Sequence, residues 1–152
     1  MITMSDVISA KRLELDLQST TPAGAIHEVA GLLRGDERVL DWSGLVGSLR
    51  YANSCIASQS GHAICIPHAR TSFVSTMVMA AGRSREGVWF EENALRVHYL
   101  FVIGVPVAMA SDYLRIIGAI ARIFKVPENE EALLNTANKQ AFLDLLAAGE
   151  MK

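Results

Sequence analysis

Apolar and polar residues alternate along this chain with two different periods. Over Arg12 to Leu17 the period is two: Leu13, Leu15 and Leu17 stand against Arg12, Glu14 and Asp16. That is the pattern of a half-buried strand. From Thr21 the spacing changes to threes and fours, with Ile26, Val29, Ala30 and Leu33 on one helical face. Thr21 is placed to cap this helix, Pro22 suits its first position, and Gly35 can end it. Asp41 caps a second helix whose face is Trp42, Leu45, Val46 and Leu49. Asn53 to Gly61 is small and polar and reads as a loop.

Unbroken apolar runs follow. Ile64 to Ile66 reads as a short buried strand, and Pro67, which has no N–H to give a ladder, should stop it. Val74 to Ala81 reads as a strand ended by Gly82 and the charged turn Arg83 to Gly87, with Val88 to Phe90 as a further short strand. Met77 and Met79 should face the core. Arg96 to Val105 reads as a largely buried strand closed by Pro106, with His98 in a structural role. Ser111 can cap a helix from Asp112 to Phe124. Beyond Pro127, Ala132 to Leu134 and Phe142 to Leu146 supply faces for one or two more helices. Interspersed strands and helices define one layered α/β domain over residues 1–152.

Composition narrows the class. A chain of 152 residues that is 51% hydrophobic can bury an ordinary single core. A net charge of −2 carries no signature of nucleic-acid binding. The two cysteines, Cys55 and Cys65, are too few for a disulfide framework, and Cys65 reads as a small buried residue. Met1 to Ala10 lacks the basic start and apolar stretch of a signal peptide. The longest apolar run, Tyr99 to Met109, is too short to span a bilayer, so no membrane insertion and a cytoplasmic location are expected.

The stretch that carries chemistry is Gly61-His62-Ala63-Ile64-Cys65-Ile66-Pro67-His68-Ala69-Arg70. Pro67 stiffens the backbone that bears His68, and a nucleophilic imidazole benefits from a fixed position. Taken alone, His68 is also consistent with a strand-end histidine that only hydrogen-bonds the backbone. Strand alternation puts His62 and His68 on one face and Cys65 on the other, so the three do not converge as metal ligands and no metal site is expected.

This stretch resembles the signature of phosphotransferase-system (PTS) enzyme IIA domains of the fructose–mannitol type, which include a nitrogen-regulatory branch. The two early helices, the small polar loop, the strand ending Val105-Pro106 and the helix after it follow the family's order. The resemblance implies a three-layer sandwich, a mixed β-sheet flanked by helices on both sides. It implies that His68 is the phosphorylated residue, through its ε2 nitrogen. The phosphoryl group would come from an HPr-like phosphocarrier and pass to a cysteine of enzyme IIB, or act as a signal to a regulatory target. No cofactor is implied, because the phosphoryl group arrives already activated. The chain would be a phosphotransferase component with a phosphohistidine intermediate.

The family usually has a second histidine at the start of the helix after the Val-Pro strand, in a His-Leu pair. Here the pair is Tyr113-Leu114. Tyr113 can offer a neutral hydrogen bond to a phosphoryl oxygen, or it can be a half-buried helix residue with its ring in the core. Ser111 can serve as cap, as ligand or as both. Arg70, directly after the signature, is a candidate to balance phosphate charge. Arg115, one turn into the helix, is a weaker one. Arg50 stands where relatives often carry an arginine that reaches the site, but the loop here is longer and a solvated arginine is the better reading. His62 is a candidate replacement for the missing imidazole. Tyr113 also favours an alternative function, a regulatory binding module that no longer relays phosphate.

Overall fold

The computed structural model describes residues 2–51, 53–58 and 60–150. Met1 and Gln59, which fall within the N-terminal and loop readings above, lie outside the described residues, as do Ala52, Met151 and Lys152. The elements in order are α1 (Met4–Val7), β1 (Leu13–Glu14), α2 (Pro22–Gly31), α3 (Trp42–Ser48), β2 (Cys55–Ala57), β3 (Ala63–Cys65), β4 (His68–Arg70), β5 (Val78–Phe90), β6 (Leu95–Val105), α4 (Ala110–Phe124), α5 (Pro127–Asn135) and α6 (Lys139–Ala148).

The six-stranded sheet runs β1-β5-β6-β3-β2, with β4 also on β6. It is mixed: β5 and β6 are antiparallel, β3 and β4 both run parallel to β6, β1 is parallel to β5, and β2 is antiparallel to β3. The apolar runs are continuous because both faces are covered. Met79, Ala81, Tyr99, Phe101 and Ile103 face one core with Ile116, Ile120, Leu133 and Phe142 of the later helices. Val78, Ala80, Leu100 and Val102 face the other with Ala25, Val29, Leu33 and Leu45 of α2, the loop after it, and α3. The result is a three-layer α/β sandwich. Among the described residues, no helix is long and apolar enough to cross a membrane.

The helix starts of the first half follow from side-chain chemistry. Thr21 Oγ1 accepts from the Gly24 amide at 3.1 Å, with Pro22 in the first turn. Asp41 Oδ1 accepts from the Gly44 amide at 3.0 Å. Each satisfies one orphan donor of the first turn.

Several expectations need correction. The strand expected over Arg12 to Leu17 is only Leu13–Glu14: the 3-10 turn Ala10–Arg12 takes up Arg12, and the parallel ladder to β5 ends at Glu14. The polar stretch from Asn53 contains a strand, β2, whose Cys55 lies opposite Cys65 and is bonded to it as a disulfide. Val78 to Ala81 and Val88 to Phe90 belong to one long strand, while Val74 to Met77, expected in the first of the two, precede it. The register of this strand shifts between Arg83 and Val88, and Gly87 has the positive φ of 81°. A bulge of that kind bends a strand without ending it. Arg83, expected in a charged turn, lies in β5 and is wholly buried. Met109, not Ser111, is the N-cap of α4, since the 3-10 turn Val107–Met109 leads straight into the helix.

Candidate functional site

The strand stops before Pro67, β3 ending at Cys65, but the chain stays on the sheet. The Pro67 carbonyl accepts from the Ile103 amide at 3.0 Å, and β4 begins at His68 opposite Ile103. On its other edge His68 pairs with Arg50: the Arg50 amide donates to His68 at 2.8 Å, and the His68 amide donates to Arg50 at 3.0 Å. The backbone of His68 is therefore held from both sides.

The imidazole is held as well. Its Nδ1 lies 2.8 Å from the carbonyl oxygen of Ile66. A carbonyl can only accept, so Nδ1 carries the proton and the lone pair of the neutral ring sits on Nε2. The Tyr113 ring lies 5.5 Å away, tilted by 38°. Burial raises the Tyr113 hydroxyl above its ordinary value of 10.0, so it remains a neutral donor at physiological pH.

Two hollows meet at His68. One, of about 620 Å³, runs past Arg50, Tyr51 and Asn53 to Glu92. The other, of about 550 Å³, is bounded by Ser48, Arg50, Ala69 and Arg70. Arg50 borders both, and Arg70 stands two residues along β4 from His68. The Tyr51 ring is held edge-on against buried Phe90 at 6.0 Å. Tyr51, Asn53 and Glu92 carried no signal in the sequence, because none belongs to a motif and Glu92 reaches the cleft from the far β5–β6 turn.

Other candidates lie elsewhere. His62 does share a face with His68, as alternation predicts. It stands six residues earlier, however, roughly 20 Å at strand rise. There its Nδ1 donates to Glu130 Oε1 at 2.8 Å, and its ring packs 4.5 Å from that of His98. It is no substitute for a second imidazole beside His68. Ser111 is exposed in the first turn of α4. Arg115 is tied to the carbonyl of Ile2 and to Asp112. Among the described residues, no group of three His, Cys, Asp or Glu side chains could hold a metal ion.

A fixed imidazole with one free nitrogen, set among arginines and a phenol, has the parts of a group that accepts and holds a phosphoryl anion. Comparison with known proteins agrees with this class. Residues 6–149 match the family described as "Phosphoenolpyruvate-dependent sugar phosphotransferase system, EIIA 2". A fructose-specific EIIA component of Haloferax volcanii is 31% identical over 145 residues, covering 95% of this chain and 94% of that protein. The nitrogen regulatory protein IIA-Ntr of Neisseria meningitidis superposes with a TM-score of 0.78 at 20% identity, covering 94% of this chain and 98% of that one. The mannitol enzyme IIA of Escherichia coli, solved in complex with phosphorylated enzyme IIB, superposes with a TM-score of 0.71 at 16% identity, covering 93% of this chain and 97% of that one. The chain belongs to the enzyme IIA family of the sugar phosphotransferase system, and membership supports a phosphocarrier role in such a system.

Proposed function

We propose that this protein accepts a phosphoryl group on Nε2 of His68 from an HPr-like phosphocarrier in the cytoplasm. It then passes the group to an enzyme IIB partner or uses it as a regulatory signal. The observation that carries the reading is the 2.8 Å bond from His68 Nδ1 to the Ile66 carbonyl, which leaves Nε2 as the nucleophile. In the first step the Nε2 lone pair attacks phosphorus, and the phosphorus–nitrogen bond of the donor breaks. The donor imidazole keeps that electron pair. In the second step an acceptor thiolate attacks the same phosphorus, and His68 recovers its lone pair. The proton stays on Nδ1 throughout, donated to the Ile66 carbonyl, whose oxygen offsets the positive charge that develops on the ring. Arg50 and Arg70 balance the phosphoryl charge, and Tyr113 donates a neutral hydrogen bond to one of its oxygens.

The test is phosphorylation of the purified chain by phosphoenolpyruvate, enzyme I and HPr, beside His68→Ala. An acid-labile gain of roughly 80 Da, absent from the variant, is the expected result. No gain with a cognate HPr and an active control IIA rejects the relay. A second reading, a regulatory binding module without relay, is favoured by one observation: a tyrosine stands beside His68 where a second histidine is usual. A pure binding module would bind its partner equally well as His68→Ala.

A further inference from the structure

The disulfide lies two hydrogen bonds from the His68 ring. The Ile66 amide donates to Ser54 at 3.0 Å, and the Ser58 amide donates to His62 at 2.7 Å. Residues 54/66, 56/64 and 58/62 are therefore the hydrogen-bonded pairs of the β2–β3 ladder. Cys55/Cys65 falls between the first two as a non-hydrogen-bonded pair, where opposed side chains approach most closely. Its Cα atoms are 4.0 Å apart. The bond thus clamps β2, an edge strand of only three residues, onto β3. The Ser54 carbonyl beside the clamp holds the Ile66 amide, and the Ile66 carbonyl holds His68 Nδ1.

The two sulfurs differ in access. Cys65 is wholly buried and Cys55 is half-buried, so a small reagent meets Cys55 first. Once released, the Cys65 thiol has the Ser54 hydroxyl 3.9 Å away, and the Cys55 sulfur has the Tyr51 carbonyl at 4.0 Å. Both free thiols therefore keep a polar neighbour.

We propose that Cys55–Cys65 is a thiol–disulfide exchange site whose redox state sets how firmly His68 is held. The co-substrate class is a low-molecular-weight thiol and its disulfide. A thiolate attacks the Cys55 sulfur and the Cys55–Cys65 bond breaks. Cys65 keeps the electron pair and takes a proton. A second thiolate then attacks the sulfur of the first thiol in the Cys55 mixed disulfide; that sulfur–sulfur bond breaks, Cys55 leaves with the electron pair and takes a proton, and the free small disulfide forms. In sum, one protein disulfide and two thiols become two protein thiols and one small disulfide; oxidation is the reverse. In the reduced protein β2 is held by its ladder alone, and the Ile66 peptide is freer to turn away from His68. The regulatory consequence rests on the phosphocarrier reading of His68; the coupling between the two groups does not.

The full chain, equilibrated in glutathione buffers of graded ratio, is scored by thiol alkylation and intact mass. In parallel, NMR follows amide exchange at Ile66 and the Nδ1 proton of His68. The expected result is reversible conversion, with Ile66 exchange about a hundredfold faster once the ten-residue loop is opened. The Nδ1 proton signal weakens, and phosphorylation slows about fivefold. The paired variant Cys55→Ser, Cys65→Ala should behave as the reduced protein in every buffer. If the thiols stay free at all ratios, or the disulfide forms while Ile66 and His68 are unchanged, the proposal fails. Coupling at Ile66 and His68 without phosphorylation in either state would uphold the exchange site and reject the phosphocarrier reading instead.

Discussion

Arg83 offers the sharpest stability test, because a wholly buried guanidinium is satisfied by carbonyl groups alone. Its Nε donates to Leu15 at 3.0 Å, and its Nη1 donates to Leu133 at 2.8 Å and to Thr136 at 2.6 Å. Two of these carbonyls belong to the C-terminal end of α5, so the cation also meets the negative end of a helix dipole. The side chain ties the β1 edge, β5 and α5 together. Its burial lowers the guanidinium below its ordinary value of 12.5, yet leaves it charged. Arg83→Met keeps the apolar stem and removes every donor. A buried carbonyl left without a partner costs about 1–3 kcal/mol, but α5 can shift to admit water. A net loss of about 4 kcal/mol is expected from a total of about 5–15. In urea the midpoint should fall by about 2 M at an unchanged slope. Arg83→Lys, with a point charge in place of the fork, should recover about half of that. Phosphorylation of the folded fraction should be unaffected, since Arg83 pairs with Tyr99 while His68 pairs with Ile103. A midpoint for Arg83→Met within 0.5 M of the parent (about a quarter of the shift expected above) would refute the claim that these bonds hold α5 to the sheet.

The other expectations are more local. Tyr113→Phe keeps the ring against the core and removes the hydroxyl, so phosphorylation of His68 should slow about fivefold with stability unchanged; equal rates would mean the hydroxyl is not used. Tyr113→His should meet or exceed the parent rate, because a charged donor is about twice as strong as a neutral one. His62→Gln should leave phosphoryl transfer within about twofold, as its partner Glu130 is at the other end of the sheet. Acid stability should fall in two stages on a pH series of urea melts. Burial and then the neighbouring His62 depress His98 below its ordinary 6.5, so its contribution is present above that value and is lost as pH falls below it. The hydrogen bond from Arg38, chiefly, holds Asp36 well below its ordinary 3.8, so its contribution of about 2 kcal/mol disappears only in the more acidic stage. Asp36→Asn should abolish that second stage alone.

Elements whose signals are local were legible. Thr21 with Pro22 and Asp41 placed two helix starts because capping needs only residues within one turn. Arg96 to Val105 was legible as a buried strand because both of its faces are covered. What was not legible depends on partners distant in the chain. Arg83-Ser84-Arg85-Glu86-Gly87 has the composition of a turn, yet Arg83 lies inside a strand because the carbonyls of α5, some fifty residues later, receive it. Cys55 lay in a stretch of small polar residues, and only the strand opposite makes it half of a pair.

The candidate site divides along the same line. His68 was visible because Pro67 and the apolar run before it are adjacent in sequence. Tyr113 was visible only through the family's ordering, and the structure sets it 5.5 Å away. His62 shows the limit of periodicity as an argument. Alternation identifies which face a side chain occupies, and it did so correctly, but a shared face over six residues still spans roughly 20 Å. Arg50 shows the converse. It has no periodic relation to His68 and was read as a solvated residue, yet a reciprocal pair of backbone bonds brings it alongside. A phosphoryl group on Nε2 needs nearby cations more than it needs residues on the same strand. If Arg50→Ala slows phosphorylation more than Arg70→Ala does, the long-range bridge matters more to the chemistry than the motif neighbour. The reverse order would restore the motif's priority.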